Sequence, residues 1–292
     1  MDSDFSKMTV AVVGLGLMGG SFARRLKEIG ATVVGVNRTE SVAREALRLG
    51  IVDSIDIKRL GEAELIIFCT PAEATLAFVK EHRTDFRPGA VMTDIAGVKG
   101  SLADDIRRIL PEGTDLVSSH PMCGNEGEGL ARSSADIFHG ANYVLLPDRA
   151  NRPENVELVR RLAVALGCSH VPSVTPQEHD RRIAYTSDLT HVLAAALVNS
   201  PSMKEDTKYF IGGSFRDETR VADINDRLWT ELFLANRENL LDEIDRFMES
   251  VSEIRRAIDS SDEKALQDLL KEAGRRRRGL TEHGNGPRGA GK

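Results

Sequence analysis

The sequence predicts an α/β protein in which a doubly wound parallel sheet is followed by an all-α domain. Three observations lead to this fold class. Short apolar runs, typical of strands buried on both faces, alternate with helical stretches along the first part of the chain. A Gly-x-Gly-x-x-Gly segment directly follows the first of these runs. Beyond Val171 the strand-like runs stop, and only helical patterns remain.

The predicted sheet is built from short apolar runs with helical stretches between them. The runs are Thr9–Val13, Ala31–Val36, Leu65–Cys69, Ala90–Asp94, Asp115–Ser118 and Tyr143–Leu146. The helical stretches include Ser21–Ile29, Ser41–Leu49, Ala72–Glu81 and Leu102–Leu110. Because strand and helix alternate, we expect parallel strands joined by crossover helices.

The second half of the chain predicts helices only. The segment Thr175–Glu178 supplies a capping Thr, a Pro at the first helical position and a Glu three residues after the cap, and the helix ends near Val198. A shorter helix is predicted over Met203–Ile211, where two glycines follow, and a last one begins near Ser260.

A long segment without Gly or Pro, Arg227–Ile258, predicts a single helix with apolar residues on two sides. Such a helix needs two packing partners. We therefore expect a homodimer through this helical domain; the alternative is a helix buried inside one monomer.

The chain of 292 residues is long enough for two domains. We expect a dinucleotide-binding domain over residues 7–173, a helical substrate and dimerisation domain over 174–280, and a disordered tail over 281–292. The net charge of −6 argues against nucleic acid as the ligand. Three scattered cysteines are too few for a zinc site, so no metal is expected. The sequence has neither a long apolar run nor a signal-peptide pattern, so a cytoplasmic protein with no membrane contact is expected. The Arg275–Arg278 quartet suits the end of a helix.

The glycine segment predicts a Rossmann-type nucleotide site. Gly14 permits a tight turn, Gly16 lets the backbone reach a pyrophosphate, and Gly19 lets helix and strand pack closely. Leu17 and Met18 lie at the helix start, where backbone amides face the phosphates.

The end of the second predicted strand bears on the choice of cofactor. NAD-binding folds usually place Asp or Glu there, but this chain has Asn37, Arg38 and Thr39. Arg38 can pair with a 2′-phosphate, and no acid repels it. NADP is therefore favoured, with NAD possible. Three residues at the ends of the third and fourth strands, Thr70, Pro71 and Asp94, complete the predicted cofactor-binding set.

Six motifs follow one another along the chain. They are Gly14–Gly19, Thr93–Lys99, Ser119–Glu126, Ser187–His191, Gly213–Arg220 and Trp229–Asn236. Together they resemble the prephenate/arogenate dehydrogenase family of tyrosine biosynthesis, from about Val10 to Leu270. The resemblance implies oxidative decarboxylation of a cyclohexadienyl substrate, with hydride passing to NAD(P). Prephenate would give 4-hydroxyphenylpyruvate; the alternative substrate, arogenate, would give tyrosine.

The resemblance also implies roles for individual residues. His120 matches the catalytic histidine that accepts the substrate's hydroxyl proton, and its place just after a strand suits the mouth of a parallel sheet. Arg220 matches the arginine that grips a substrate carboxylate, with Arg216 as a weaker second choice. The remaining substrate-binding residues are Glu126, Ser187 and His191, with His179 expected on the same helix face as Ser187 and His191.

Two positions depart from the family's pattern. Many members have Ser where this chain has Gly97, which removes a hydroxyl beside the nicotinamide. Many have His at the position of Asp188, whose charge would favour an amine in the substrate.

Two other functions stay open. A β-hydroxyacid dehydrogenase or imine reductase shares the glycine segment but usually carries a Lys or Asp on the first long helix after the Rossmann domain, and residues 178–198 contain no Lys. A non-catalytic NADPH sensor would need only the cofactor loop and the long helix. The presence of His120 and Arg220 argues against both.

Overall fold

The computed structural model describes residues 5–124 and 127–280. By its internal contacts the chain divides into two compact units, one extending to Asn236 and one beginning at Arg237. The predicted functional boundary between residues 173 and 174 stays a prediction. No helix in the described ranges is long and apolar enough to cross a membrane. The predicted tail, 281–292, lies outside the described residues.

Seven strands and eleven α-helices make up the described chain. The strands are β1 Thr9–Val13, β2 Thr32–Val36, β3 Leu65–Phe68, β4 Val91–Asp94, β5 Asp115–Leu116, β6 Ser118–Met122 and β7 Asn142–Leu146. The helices are α1 Leu17–Glu28, α2 Glu40–Arg48, α3 Ala72–His82, α4 Leu102–Arg107, α5 Pro153–Leu166, α6 Pro176–Ile183, α7 Leu189–Val198, α8 Gly213–Thr219, α9 Asp226–Ala235, α10 Arg237–Asp259 and α11 Glu263–Gly279.

The five-stranded sheet confirms the predicted fold class. Its strand order is β2-β1-β3-β4-β5, and every pairing is parallel. Successive residues of β1 face opposite sides: Val10 and Val12 belong to one apolar core, and Ala11 and Val13 belong to the other. Both faces of the strand are therefore covered, which explains why the strand patterns are continuous apolar runs.

The last two predicted strands differ from the expectation. The run Asp115–Ser118 is divided, because β5 ends at Leu116 and β6 begins at Ser118. Strand β7 pairs antiparallel with β6 in a separate two-stranded sheet, where His120 lies opposite Val144. Placing the Tyr143–Leu146 run in the parallel sheet was therefore wrong, and His120 lies within a strand rather than after one. An apolar run indicates burial, but it does not indicate which strand it pairs with.

The predicted helix after Thr175 contains a π-helical turn. Thr175 caps α6 as expected, since its hydroxyl accepts the amide of Glu178 at 3.2 Å. The π turn, residues 184–188, joins α6 to α7. This turn changes the phase of the side chains. His179 is buried, whereas Ser187 and His191, which were expected on its face, are partly exposed.

The single helix predicted over Arg227–Ile258 is wrong, because the structure has two helices separated at Asn236. The buried amide of Asn236 donates to the backbone carbonyl of Asp180 at 2.9 Å and to the carboxylate of Asp188 at 2.8 Å. These two bonds accompany a backbone conformation, φ −106° and ψ 22°, that ends α9.

Two further helix boundaries differ from prediction. The run Met203–Ile211 contains only the short 3₁₀ helix Glu205–Tyr209, and Gly213 begins α8 rather than ending a helix. The cap of α11 is Asp262, which accepts the amide of Ala265 at 2.9 Å, and not Ser260.

Candidate active site

The glycine loop between β1 and α1 has the close approaches that its sequence predicts. Gly14 has a φ of +93°, and a Cβ there would lie 2.6 Å from a side-chain carbon of Thr70. A Cβ on Gly19 would lie 1.7 Å from the carbonyl oxygen of Gly14. A Cβ on Gly16 would have no atom within 4 Å. Only glycine therefore fits at positions 14 and 19, and the space at Gly16 is available to a pyrophosphate.

The first turn of α1 supplies donors to that space. The helix begins at Leu17 and continues with Met18, with Gly16 as a cap that has no side chain. The first amides of a helix have no intrahelical acceptor and attract anions. The loop residues thus fit the phosphates of a dinucleotide.

The loop after β2 exposes the side chains that would meet the adenosine ribose. The side-chain oxygen of Asn37 accepts the amide of Leu15 at 2.9 Å, and its nitrogen donates to the carbonyl of Thr39 at 3.1 Å. Asn37 therefore shapes the glycine loop. Arg38 and Thr39 are exposed, and Thr39 caps α2 without a side-chain bond.

The ends of β3 and β4 hold the other predicted cofactor residues. The hydroxyl of Thr70 is 2.8 Å from that of Thr75, and Pro71 is the cap of α3. Asp94 is buried, and its Oδ1 accepts the ammonium of Lys99 at 2.6 Å. Its Oδ2 is buried with no hydrogen-bond partner among the described residues. This free acceptor, at the carboxyl end of the sheet, fits a polar group of a bound cofactor.

His120 is joined to two side chains of α6. Its Nδ1 is 2.9 Å from the Nε2 of His179, and the Nδ1 of His179 is 2.8 Å from the Oδ1 of Asp180. The same Asp180 carboxylate accepts the backbone amides of Lys99 at 3.0 Å and Gly100 at 2.9 Å. Asp180 therefore holds the loop after β4 against α6.

The electrostatic surroundings keep His120 neutral. Burial holds the pKa of His120 well below its usual value, and the Lys99 ammonium and the neighbouring His179 lower it further. The Lys99 ammonium, itself buried, also donates to the carbonyl of Ser119 at 2.7 Å. A neutral imidazole at this position can accept a proton.

A second cluster lies on α7 and α9. The ring of His191 stacks on Trp229 with a centroid separation of 3.5 Å, and its Nδ1 donates to the carbonyl of Ser187 at 2.9 Å. Burial lowers the pKa of His191, the bond to Ser187 opposes this shift, and the charge of Arg220 lowers it further. The structure therefore brings Ser187, His191 and Arg220 together.

One predicted substrate residue, Arg216, is not joined to this cluster among the described residues. Arg216 is exposed on α8, one turn before Arg220, and no contact joins its side chain to His191 in the described residues. Glu126 lies outside the described residues.

Helix α9 connects the two groups. A Cβ on Gly97 would lie 3.3 Å from a methyl carbon of Leu232 and 4.0 Å from the Cε1 of His120. Leu232 and Trp229 are neighbours on α9, so one helix contacts both the loop beside His120 and the ring of His191. Helix α9 therefore links the loop beside His120 to the cluster of His191 and Arg220.

Two family models match most of the chain. The model of the prephenate dehydrogenase nucleotide-binding domain matches residues 22–171, and that of the prephenate dehydrogenase dimerization domain matches residues 175–272. The chain belongs to the prephenate dehydrogenase family.

Individual members of the prephenate dehydrogenase family are similar along nearly the whole chain. A prephenate dehydrogenase of Bacillus subtilis is 30% identical, over 94% of this chain and 76% of the relative. A cyclohexadienyl dehydrogenase of Zymomonas mobilis is also 30% identical, over 94% and 97%. The crystal structure of Aquifex aeolicus prephenate dehydrogenase with hydroxyphenyl propionate and NAD+ is 29% identical with a TM-score of 0.84, over 94% of this chain and 98% of that one.

The β-hydroxyacid dehydrogenase alternative shares only the fold. A 3-hydroxyisobutyrate dehydrogenase of Mycobacterium tuberculosis is 12% identical with a TM-score of 0.57. The family assignment therefore favours the prephenate dehydrogenase interpretation of His120 and Arg220.

Three residues that contact the candidate site were not predicted from the sequence. Lys99, Asp180 and Trp229 had no predicted role. Lys99 and Trp229 lie within the motifs that carry the resemblance, and Asp180 directly follows His179. Their positions show that they lie in or beside the motifs. They do not show which side chains these residues contact, because the contacts join distant segments of the chain. Asp188, expected near the substrate, is instead buried and bonded to Asn236.

Proposed function

We propose that this protein oxidatively decarboxylates prephenate to 4-hydroxyphenylpyruvate with a nicotinamide cofactor. The observation that carries the proposal is a neutral, partly buried His120, which α9 links to the cluster of Arg220 and which Lys99 links to Asp94 at the cofactor end of the sheet. A base, a carboxylate-binding cation and a cofactor site are the three parts that this reaction needs.

The bound nicotinamide supplies the hydride acceptor. His120 faces the hydroxyl on the ring carbon that loses hydride, and its Nε2 takes the hydroxyl proton as the carbonyl bond forms. The ring carboxylate leaves as carbon dioxide, and its bonding electron pair makes the ring aromatic. The former hydroxyl oxygen then gains a proton, which His120 returns. The base therefore ends each turnover neutral.

The second cluster holds the substrate in place. Arg220 binds a substrate carboxylate with its planar guanidinium, which matches two carboxylate oxygens. His191, fixed by the stack on Trp229 and the bond to Ser187, presents its other ring nitrogen to the substrate. Holding the substrate at both ends aligns the hydroxyl with His120. Glu126, Ser187 and Arg216 remain proposed substrate-binding residues.

The preferred cofactor is NADP. No carboxylate stands at the end of β2 to bond the ribose hydroxyls or repel a phosphate, and Arg38 and Thr39 are exposed there. Glu40, the first acid, is held by Arg44 at 2.6 Å. NAD is the alternative, because the similar Aquifex structure contains NAD+.

Arogenate is the alternative substrate. A Synechocystis arogenate dehydrogenase is 27% identical with a TM-score of 0.81. The sequence argument for an amine in the substrate relied on Asp188, and the structure pairs that carboxylate with Asn236. This removes the reason to favour arogenate.

We also propose a homodimer that works in the cytoplasm. The dimerization-domain match covers α6 to α10 and the first part of α11, and α10 and α11 expose apolar side chains such as Met248, Ile258 and Leu270. An apolar helix face in water favours burial against a second copy.

Reduced-nicotinamide formation in four mixtures tests the function. NADP and NAD are each paired with prephenate and with arogenate. We expect the fastest turnover with NADP and prephenate, and loss of turnover by about 10²–10⁴-fold in His120→Ala with cofactor affinity retained. A protein that binds NADP but turns over neither acid would instead be a cofactor sensor. Turnover that survives in His120→Ala would refute the assignment of the base.

A further inference from the structure

Three side chains from two distant segments form a hydrogen-bonded line behind the base. His120 belongs to β6, whereas His179 and Asp180 belong to α6. The two bonds are 2.9 Å and 2.8 Å long. His179 is 2% exposed and Asp180 is 7% exposed, so water competes little for either bond. The line ends at Asp180, which two backbone amides hold in place.

The donor in each bond follows from the chemistry of Asp180. Burial alone would raise the pKa of Asp180, but the bonds from His179 and from the amides of Lys99 and Gly100 outweigh burial and lower it. The carboxylate is therefore ionised and can only accept. The Nδ1 of His179 must then carry a proton and donate. With His179 neutral, its Nε2 is an acceptor, so it accepts the hydrogen bond that the Nδ1–H of His120 donates.

We propose that Asp180, acting through His179, is a positioning residue that keeps the proton of His120 on Nδ1 and leaves Nε2 as the base. This inference rests on the proposed function, in which Nε2 takes the substrate's hydroxyl proton. Without the line, an isolated imidazole could hold its proton on either nitrogen, and the wrong tautomer would point an N–H at the hydroxyl. The glycine at position 97 supplies no side-chain group beside the ring that could make this choice instead.

The negative charge of Asp180 has a second effect. The Lys99 ammonium disfavours a second proton on the His120 ring, yet the proposed reaction transfers the substrate's hydroxyl proton to that ring. When His120 holds the substrate's proton, the positive charge is shared along the line toward the Asp180 carboxylate. Asp180 thus offsets Lys99 at the moment when the base is charged, while Lys99 keeps the base neutral beforehand.

The test uses three variants of the full-length protein and one matched control. His179→Phe removes the acceptor for the Nδ1 proton of His120, and His179→Gln offers a carbonyl oxygen near the former Nε2. Asp180→Asn removes the charge. The control is His82→Phe, which removes the last residue of α3 from another 2.8 Å His–Asp pair, formed with the exposed Asp85 just after that helix.

The first readout is independent of substrate. Nitrogen-proton correlation spectra of protein with ¹⁵N-labelled histidine identify which ring nitrogen of His120 is protonated, with His120→Ala assigning the signals. We expect Nδ1 in the wild type and in His179→Gln, and a loss of that preference in His179→Phe. A wild-type His120 protonated on Nε2 would overturn the inference even if the enzyme turns over prephenate. This result also decides the matter if a variant does not fold.

The second readout separates kcat from KM. We expect kcat to fall about 10–100-fold in His179→Phe and Asp180→Asn, with little change in the KM for prephenate, and to recover in part in His179→Gln. His82→Phe should match the wild type. If kcat is unchanged in His179→Phe, or if His179→Gln is as impaired as His179→Phe, His179 does not position the base.

Discussion

Asp188 is a buried acid whose removal should stabilise the protein at neutral pH. It is 1% exposed and accepts a hydrogen bond from Asn236. Burial raises the pKa of Asp188 from 3.8 to about 6; the bond from Asn236 opposes the shift, and the nearby Asp180 adds to it. The substitution Asp188→Asn keeps an oxygen that can accept from Asn236 and removes the charge.

The size of the effect follows from the shift. The folded protein holds this proton more tightly than the unfolded chain, so ionisation of Asp188 costs stability. That cost begins as the pH rises above the unfolded value and is complete above the folded one. A shift of about two units corresponds to roughly 3 kcal/mol at pH 8, of which about half is already present at pH 5. The free energy of unfolding of Asp188→Asn should therefore gain on the wild type by about 1.5 kcal/mol between these two pH values.

Urea unfolding at pH 5 and pH 8 measures this difference directly. The variant and the wild type are compared at equal protein concentration, because subunit association would contribute to stability. The exposed Asp136, changed to Asn, serves as the control and should show no pH-dependent gain. Two results would show that burial does not raise the pKa of Asp188. One is a gain that is equal at both pH values, and the other is an Asp188→Asn variant that is less stable than the wild type at pH 8.

Four further substitutions test residues of the ligand sites. Arg38→Ala should raise the KM for NADP about tenfold and leave that for NAD unchanged, since only NADP has a 2′-phosphate to pair; equal losses in steady-state kinetics would refute the cofactor preference. Gly19→Ala should destabilise the fold by about 3 kcal/mol or more, because its Cβ would lie 1.7 Å from a carbonyl oxygen. Gly16→Ala should unfold at the wild-type temperature and lose NADP affinity in titrations. Arg220→Lys should raise the KM for prephenate about tenfold with little change in kcat, since lysine cannot make a two-point carboxylate contact.

Local patterns in the sequence determined the parallel sheet, the nucleotide loop and the helical second half. The requirement for glycine at 19 follows from the carbonyl of Gly14, five residues earlier in the chain, and at 14 a positive φ already favours glycine. The cap at Thr175 depends on an amide only three residues away. Features of this kind are fixed by steric fit and hydrogen bonds between near neighbours, so a single sequence is enough to predict them. The order of the motifs likewise indicated His120 and Arg220.

The tertiary structure decided what surrounds the base. The bond from His120 to His179 joins residues 59 positions apart, and that from Lys99 to Asp180 joins residues 81 apart. Asn236 interrupts a segment with unbroken helical character because it bonds to Asp180 and Asp188, 56 and 48 positions away. The antiparallel pairing of β6 with β7 is a choice of partner that an apolar run cannot specify. Burial, charge and tautomer at the site arise only when these segments meet, so local sequence determined the elements and long-range packing determined the chemistry.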